Sequence, residues 1–367
     1  MPASRLSTQF SRALGLRSPL IQAPMAGGPS TPELVAAVGG AGALGSFGFA
    51  YTQPEEMKRA SAAVRAADDH PFGINLFVSP QPAAITAEAQ RAAIAALAPW
   101  YAELGLPPLQ PAAAPYAPDL DAQYAAVAEI RPAVFTCHLG AMPGERVREF
   151  RSLGIRLGGS ATTVAEAKAL EALGFDFVIA QGGEAGGHRG TWTRDPHEAL
   201  TGTFALTRMV VRAVSIPVVA AGGIMDGEGV AAALALGAQA AQLGTAFVPC
   251  PESGAPEVHK RAVLSAYEDD TRITEKFSGK PARGIANRFM REAAGFPQLA
   301  FPVQNALTGK LRQASAKAGK PDFFALWSGQ AAPLARALPA AELVARLEQE
   351  AIEALRRVAA LVQEEGP

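Results

Sequence analysis

The chain has 367 residues, 49% apolar and 18% charged, with 33 Lys and Arg against 34 Asp and Glu and a formal net charge of −1. A chain this long and this apolar can bury a large core, which excludes global disorder. The even charge balance leaves no basic surplus for nucleic acid or an anionic membrane surface.

The first twenty residues carry Arg5, Arg12, Arg17 and several serines without an acid, a composition shared with transit peptides. Residues 8–14 nevertheless read as a short helix ending at Gly15, and an apolar strand begins by Leu20, so a helix plugging the bottom of the fold is expected. The run 19–25 is a strand ending in Gly27 and Gly28, and Thr31 with Pro32 opens a helix. Strand 42–47, helix 54–67 and strand 72–78 follow. Residues 79–118 are irregular, rich in Pro and Ala, around one helix near 88–98. Loops of that length are usually functional or lids.

The second half repeats more cleanly. After a helix at 119–130 come strand 133–138, helix 144–152, strand 155–159, helix 163–172 and strand 175–180. A long glycine-rich loop spans 181–202. Helix 203–214, strand 216–221, helix 226–236 and strand 240–247 complete the series. Residues 229–251 carry no charge, but Gly237, Gln239, Gln242, Gly244 and Pro249 divide them into helix, turn and strand, so no transmembrane segment is expected. Short apolar strands without polar alternation suit a buried parallel sheet. Eight of them, seven followed by a helix, predict an α/β fold of the (β/α)8 TIM-barrel class, with an open doubly wound sheet as the alternative. The barrel is assigned to 1–250, with an insertion at about 79–118. Residues 251–367 are assigned to a mainly helical C-terminal extension packed on it. Within that extension 271–292 is strongly basic and reads as a solvated or docked segment, and 338–363 is an amphipathic helix. The tail helices are expected to pack on the barrel and close over its mouth.

Such barrels place their sites at the carboxyl ends of the strands. Gly222 and Gly223 end the seventh strand, and Gly244 and Thr245 lie in the eighth. Phosphate often binds at these two rims, through backbone N–H groups that glycine lets come close. Tight turns alone are the other reading. No carboxylate and histidine cluster has metal-ligand spacing. His188 sits in the glycine loop beside Arg189, where an imidazole can act as base or hydrogen-bond donor; a surface histidine in a mobile loop is the alternative. His138, at the end of the fourth strand, is a second candidate, for substrate contact, while His70, His197 and His259 read as surface or turn residues. Cys137 and Cys250 have no zinc or redox spacing and suit two reduced thiols in a cytoplasmic protein.

The runs IQAPMAGG (21–28), QGGEAGGHRG (181–190), AAGGI (220–224) and QLGTAF (242–247), with FSGKPARG (277–284) and LWSGQ (326–330) beyond the barrel, together resemble the nitronate monooxygenases. That resemblance implies an FMN-dependent flavoprotein monooxygenase, without metal or nicotinamide. It would oxidise alkyl nitronates such as propionate 3-nitronate with O2, giving a carbonyl product and nitrite. By position the flavin would contact Met25, Ala26, Asn75, Gln181, Gly186, Gly222, Gly223, Gln242, Leu243, Gly244 and Thr245, and the catalytic histidine falls on His188. Where the family often has a tyrosine before proline, this chain has Phe301, so an active-site hydroxyl is expected to be missing. The rival readings are an NAD(P)H:quinone or enoyl-acyl-carrier-protein reductase on the same flavin barrel, a flavin-free sugar-phosphate barrel enzyme, and a non-catalytic FMN carrier.

Overall fold

The computed structural model describes residues 5–67, 69–79 and 85–362. Part of the insertion at 79–118, the first residues of the N-terminal segment and the end of the expected 338–363 helix lie outside the described residues.

Nine short strands form one parallel sheet: β1 (Leu20–Gln22), β2 (Met25–Ala26), β3 (Gly45–Gly48), β4 (Phe72–Phe77), β5 (Val134–His138), β6 (Arg156–Ala161), β7 (Phe177–Gln181), β9 (Val218–Ala221) and β10 (Ala240–Leu243). β1 and β2 are two pieces of one barrel strand, separated by Ala23 and Pro24. β1 pairs with β10 and β2 with β3, at opposite ends of the sheet. The gap closes where the Gln22 amide donates to the Leu44 carbonyl at 2.9 Å and the Leu44 amide to the Leu20 carbonyl at 3.0 Å. The predicted eight-stranded barrel is therefore a closed ring. Apart from the half-buried β2 and the exposed Arg156 that opens β6, the strands are buried along nearly all their length because helices cover the outside and side chains fill the inside, which removes the pressure to alternate polar and apolar residues.

Local chemistry starts the helices where the chain needs them. The side chains of Thr31, Thr163 and Asp226 each accept an amide hydrogen from the first turn, at 3.0, 3.2 and 2.9 Å, and so cap the helices Pro32–Gly40, Val164–Ala172 and Gly227–Ala235. The N-terminal helix Gln9–Ala13 carries a reciprocal cap between Thr8 and Ser11. Its Phe10 meets Phe177 edge-on at 5.1 Å and joins Leu16, Ile21, Leu44, Val134 and Val219 in a cluster at the base of the barrel. The plug expected from the sequence is there.

The tail corrects two expectations. Residues 271–292 are not simply a solvated run: β11 (Thr271–Thr274) and β12 (Ala282–Ile285) form an antiparallel hairpin, and β12 adds to β8 (Gly187–His188) in the glycine loop. The final helix Ala340–Ala359 does not cover the mouth. It lies on the barrel's outer wall, sharing a core with the helices Gly227–Ala235 and Pro32–Gly40 through Leu343, Val344, Leu347 and Ala351. The eighth strand also ends earlier than predicted, since Thr245–Phe247 is a 3-10 turn. The insertion helix Ala87–Glu103 packs Leu97, Trp100 and Tyr101 against Phe277, Phe289, Leu307 and Phe323 of the tail. Insertion and tail thus form one layer above the barrel. No helix among the described residues is long and apolar enough to cross a membrane.

Leu347 is fully buried between the final helix and the barrel wall. Leu347→Ala should destabilise the whole barrel by about 2–5 kcal/mol, read as a lowered urea midpoint of a single transition. An unchanged midpoint would show that the tail helix contributes nothing to barrel stability.

Candidate active site

Of the nine residues from Gly182 to Gly190, five are glycine, so the loop after β7 carries little that could hold its own shape. Neighbouring elements impose the order. The His188 carbonyl accepts hydrogen bonds from His138 Nε2 at 3.1 Å and Gln181 Nε2 at 3.0 Å. Gln181 Oε1 accepts from the Gly190 amide at 2.7 Å, so both ends of its carboxamide serve the loop. Arg189 is fully buried and donates to the carbonyls of Gly182, Gln181 and Ala199 at 2.6, 3.2 and 3.0 Å. Glu166, also fully buried, accepts from Thr162, Trp192 and Thr193. Glu184 accepts from the amide and hydroxyl of Thr203. A Cβ on Gly186 would lie 2.5 Å from the carbonyl carbon of Ser328, so the crossing of the 326–330 segment requires glycine there.

The His188 ring is set by the hairpin. Its Nε2 lies 2.9 Å from Ser278 Oγ, and that hydroxyl donates to the Lys280 carbonyl at 3.1 Å. A carbonyl can only accept, so Ser278 Oγ receives the His188 Nε2–H and Nδ1 keeps its lone pair. The same rule makes His138 Nε2 a donor to the His188 carbonyl, and His138 Nδ1 then accepts from Ser160 Oγ at 2.8 Å. Both nitrogens of His138 are therefore committed within the protein, whereas His188 Nδ1 has no partner among the described residues. Phe77, Phe301 and Trp327 surround the His188 ring with centroids at 5.4, 6.0 and 5.6 Å. Burial pulls the His188 pKa down to about 3, and the positive charges of Lys280 and Arg312 add to the effect. Burial likewise lowers His138 to about 4. His188 at neutral pH is a neutral base in an aromatic pocket.

Across the mouth, the strand register sets Gln181, Ala221 and Gln242 side by side, and Ala26, Gly48, Asn75 and Thr136 likewise. Gly222 and Gly223 adopt φ of +115° and +69° after β9, conformations that favour glycine. The amides of Gly223, Gly244 and Thr245 find no acceptor among the described residues. The Thr245 hydroxyl accepts from the Gly329 amide at 3.0 Å and keeps its own proton to donate. Unengaged donors thus collect at the ends of β9 and β10. Met25 and Ala26 lie half-buried on β2, and Gln242 half-buried on β10. The buried Asn75 donates to the Thr136 carbonyl and hydroxyl at 3.1 and 2.9 Å. The Leu243 side chain is packed in the core between the final helix and the barrel wall, which leaves its backbone to face a ligand.

Sequence reasoning overlooked Ser278, Tyr51, Arg312 and Trp327. Ser278 and Trp327 stand in runs quoted for the resemblance, but a basic neighbourhood concealed the hairpin that carries Ser278. His259 is also not the surface residue expected: it is buried, with Nε2 donating to the Trp327 carbonyl at 2.9 Å, and burial lowers its pKa to about 4. His197 is exposed as expected. Cys137 and Cys250 are buried free thiols, and no group of metal-holding side chains occurs among the described residues.

The nitronate monooxygenase family model matches residues 10–350. A protein of Paraburkholderia phytofirmans described as a nitronate monooxygenase is 45% identical over 355 residues, covering 94% of this chain and 96% of that one. Among solved structures, nitroalkane oxidase from Streptomyces ansochromogenes superposes with a TM-score of 0.88 at 41% identity, covering 95% of this chain and 99% of that one. FabK from Thermotoga maritima superposes with a TM-score of 0.77 at 28% identity, covering 97% and 100%.

The buried histidines carry a pH signature. Folded His138, His188 and His259 titrate at about 4, 3 and 4, below the ordinary 6.5. Below pH 6.5 the unfolded chain takes up protons that the folded chain refuses, so stability is lost as pH falls from 6.5 towards 4. Tm should drop across that window, and His259→Gln should lessen the drop relative to its own Tm at pH 7. An equal drop in the variant would mean that His259 is not buried in neutral form.

Proposed function

This chain belongs to the nitronate monooxygenase family, and on that premise we propose that it oxidises small alkyl nitronates, propionate 3-nitronate among them, using FMN and O2 and releasing a carbonyl product and nitrite. It is an enzyme of a flavin-dependent oxidoreductase family. The observation that carries the reading is the neutral His188 with an unengaged Nδ1, enclosed by aromatic rings on the rim that also bears the unengaged amides.

The residues present fit a phosphate-bearing flavin. The Gly223, Gly244 and Thr245 amides, with the Thr245 hydroxyl, are donors without acceptors among the described residues, which is the chemistry a terminal phosphate needs. Gly222 is needed where the chain crosses Thr203 and Ala185, which a Cβ would meet at 2.8 and 3.0 Å, and Gly222, Met25, Ala26, Asn75, Gln181, Gly186, Gln242 and Leu243 complete the proposed cradle. When bound, the flavin supplies the redox chemistry, taking electrons from the nitronate and passing them to oxygen. The protein's part is to hold and to exclude. His188 Nδ1, an acceptor, takes the Cα proton of a neutral nitroalkane while its Nε2–H stays on Ser278, and toward a preformed nitronate, which has no such proton to give up, the ring serves as part of the wall. Phe77, Phe301 and Trp327 keep water from the reacting carbon. We assign His138 to holding the His188 backbone, with its ring edge lining the substrate space beside Phe77 at 5.6 Å. We also propose that residues 1–250 carry the cofactor, that 251–367 complete the pocket, and that the protein is cytoplasmic, which its two buried free thiols suit.

The purified protein should be yellow and release FMN on denaturation. Oxygen uptake should follow propionate 3-nitronate. NADPH under anaerobic conditions should leave the flavin oxidised; prompt bleaching would favour a reductase instead. His188→Asn should retain flavin and lose roughly 10²–10⁴-fold in kcat/KM on a neutral nitroalkane, with a smaller loss on the preformed nitronate. Full activity of that variant on both substrates would remove His188 from the chemistry.

A further inference from the structure

Lys280 stands in the turn that leads into β12, and hydrogen bonds fix that turn against the glycine loop. The Lys280 carbonyl accepts from the Ser278 hydroxyl at 3.1 Å, the Lys280 amide donates to the same oxygen at 3.4 Å, and the Pro281 carbonyl accepts from the Arg189 amide at 2.8 Å. Ala282 then pairs with His188 across the small sheet. The Lys280 side chain is half-buried, and its ammonium group has no partner among the described residues. Its charge reaches the rings of both His138 and His188. Those two rings flank Phe77, with centroids 5.6 and 5.4 Å from it. Burial lowers the Lys280 pKa and no acid offsets that effect. An ammonium group drawn part-way out of water without a counter-charge is destabilising until an anion meets it.

A nitronate carries its negative charge on the two oxygens bonded to nitrogen, and a nitroalkane acquires that charge as its Cα proton leaves. His188 cannot hold those oxygens, because Nδ1 presents a lone pair and the Nε2–H is bonded to Ser278. The neighbouring donors are engaged as well. His138 Nε2–H is bonded to the His188 carbonyl, and the Ser278 proton to the Lys280 carbonyl. Arg312, whose charge also reaches His188, uses Nε on Thr308 and Nη2 on Asn305. The Lys280 ammonium is a compact charge with rotatable donors, and no described residue uses them.

We propose that Lys280 is a catalytic residue that receives the oxygens of the reacting nitro group. It holds a preformed nitronate by the charge that is already there. With a neutral nitroalkane it stabilises the charge that develops on those oxygens as His188 Nδ1 takes the Cα proton. The proton passes from Cα to Nδ1, the electron pair of the broken C–H bond moves onto the nitro oxygens, and the ammonium group donates hydrogen bonds to them while keeping its own protons. One turn then serves both partners of the step: Ser278 fixes the tautomer of the base, and Lys280, two residues on, meets the anion that the base creates. The inference rests on the nitronate reading above.

The test uses the holoenzyme with ethyl nitronate, nitroethane and nitrate. In ethyl nitronate the nitro group carries the only charge, and carries it before the reaction, so Lys280→Gln should lower kcat/KM by about 10- to 100-fold, mainly through KM. Nitroethane is neutral until its proton leaves, so the same variant should lower kcat by about tenfold or more and leave KM within about twofold. Damage to the fold would change both substrates alike and give no such split. Lys280→Arg, which keeps the charge, should recover part of each loss. Nitrate, a planar oxyanion that does not react, supplies a readout apart from turnover, and its affinity in calorimetry should fall about tenfold in Lys280→Gln. Unchanged nitrate binding, or the same change in KM and kcat on both substrates, would overturn the assignment. Wild type that binds nitrate through Lys280 but consumes no nitronate would instead overturn the proposed activity and leave the anion site standing.

Discussion

The carbonyl oxygen of His188 is held by two side chains that reach it from neighbouring barrel strands, His138 at 3.1 Å and Gln181 at 3.0 Å. A segment so rich in glycine loses more backbone entropy on ordering than any other kind of chain. It adopts one shape only because rigid strands carry the donors that fix it. The hairpin strand β12 then adds to the same two residues from the other side, pairing Ala282 with His188 and Arg283 with Gly187. Ser278, on that hairpin, receives the imidazole N–H. The backbone of His188 thus belongs to the barrel and its side chain to the tail, and the ring is aimed where the two agree.

The electrostatics follow the same division of labour. Acids do occur near the loop, but their lone pairs are occupied: Glu166 by the amides of Thr162, Trp192 and Thr193, and Glu184 by Thr203. Arg189 is likewise consumed by three carbonyls. These groups build the loop, and their fields are partly quenched by the bonds they make. The pocket is left with neutral imidazoles, and the Lys280 charge reaches both of them. Burial disfavours the protonated form of His188, and the positive charges around it add to that effect.

Much of this was legible in the sequence. Eight short apolar runs separated by helix caps such as Thr31, Thr163 and Asp226 spell a barrel, because each strand, buried on both faces, needs no alternation. The glycine pair at 222–223 was readable because only a rim that must come close to something needs two residues with positive φ. His188 was conspicuous among residues too small to bury it. The hairpin was not legible: Arg272, Lys276, Lys280 and Arg283 read as a solvated run, yet Arg283 is buried and donates to the Gly183 carbonyl at 3.1 Å. Charge density signals exposure only until each cation finds a carbonyl. Tyr51 and His188 stand far apart in sequence, and nothing local to either signals that Phe77 and Phe301 will stand between them.

The insertion gives the tail its footing. Tyr101 donates to the Leu307 carbonyl at 2.5 Å, which braces the helix Val303–Lys317, and Trp100 donates to Glu292 of the preceding helix Arg288–Glu292 at 3.0 Å. Its apolar contacts, through Phe277, Phe289 and Phe323, form a core separate from the cores of the barrel. A layer with its own core can change the side chains it presents to the pocket without disturbing the strand ends of the barrel. The barrel rim and the layer above it are then separately packed parts of one chain, the first on strands whose register is set by hydrogen bonding and the second on a helix set by side-chain packing. Substitutions along one face of that helix can therefore reshape the layer while the barrel beneath it stays as it is.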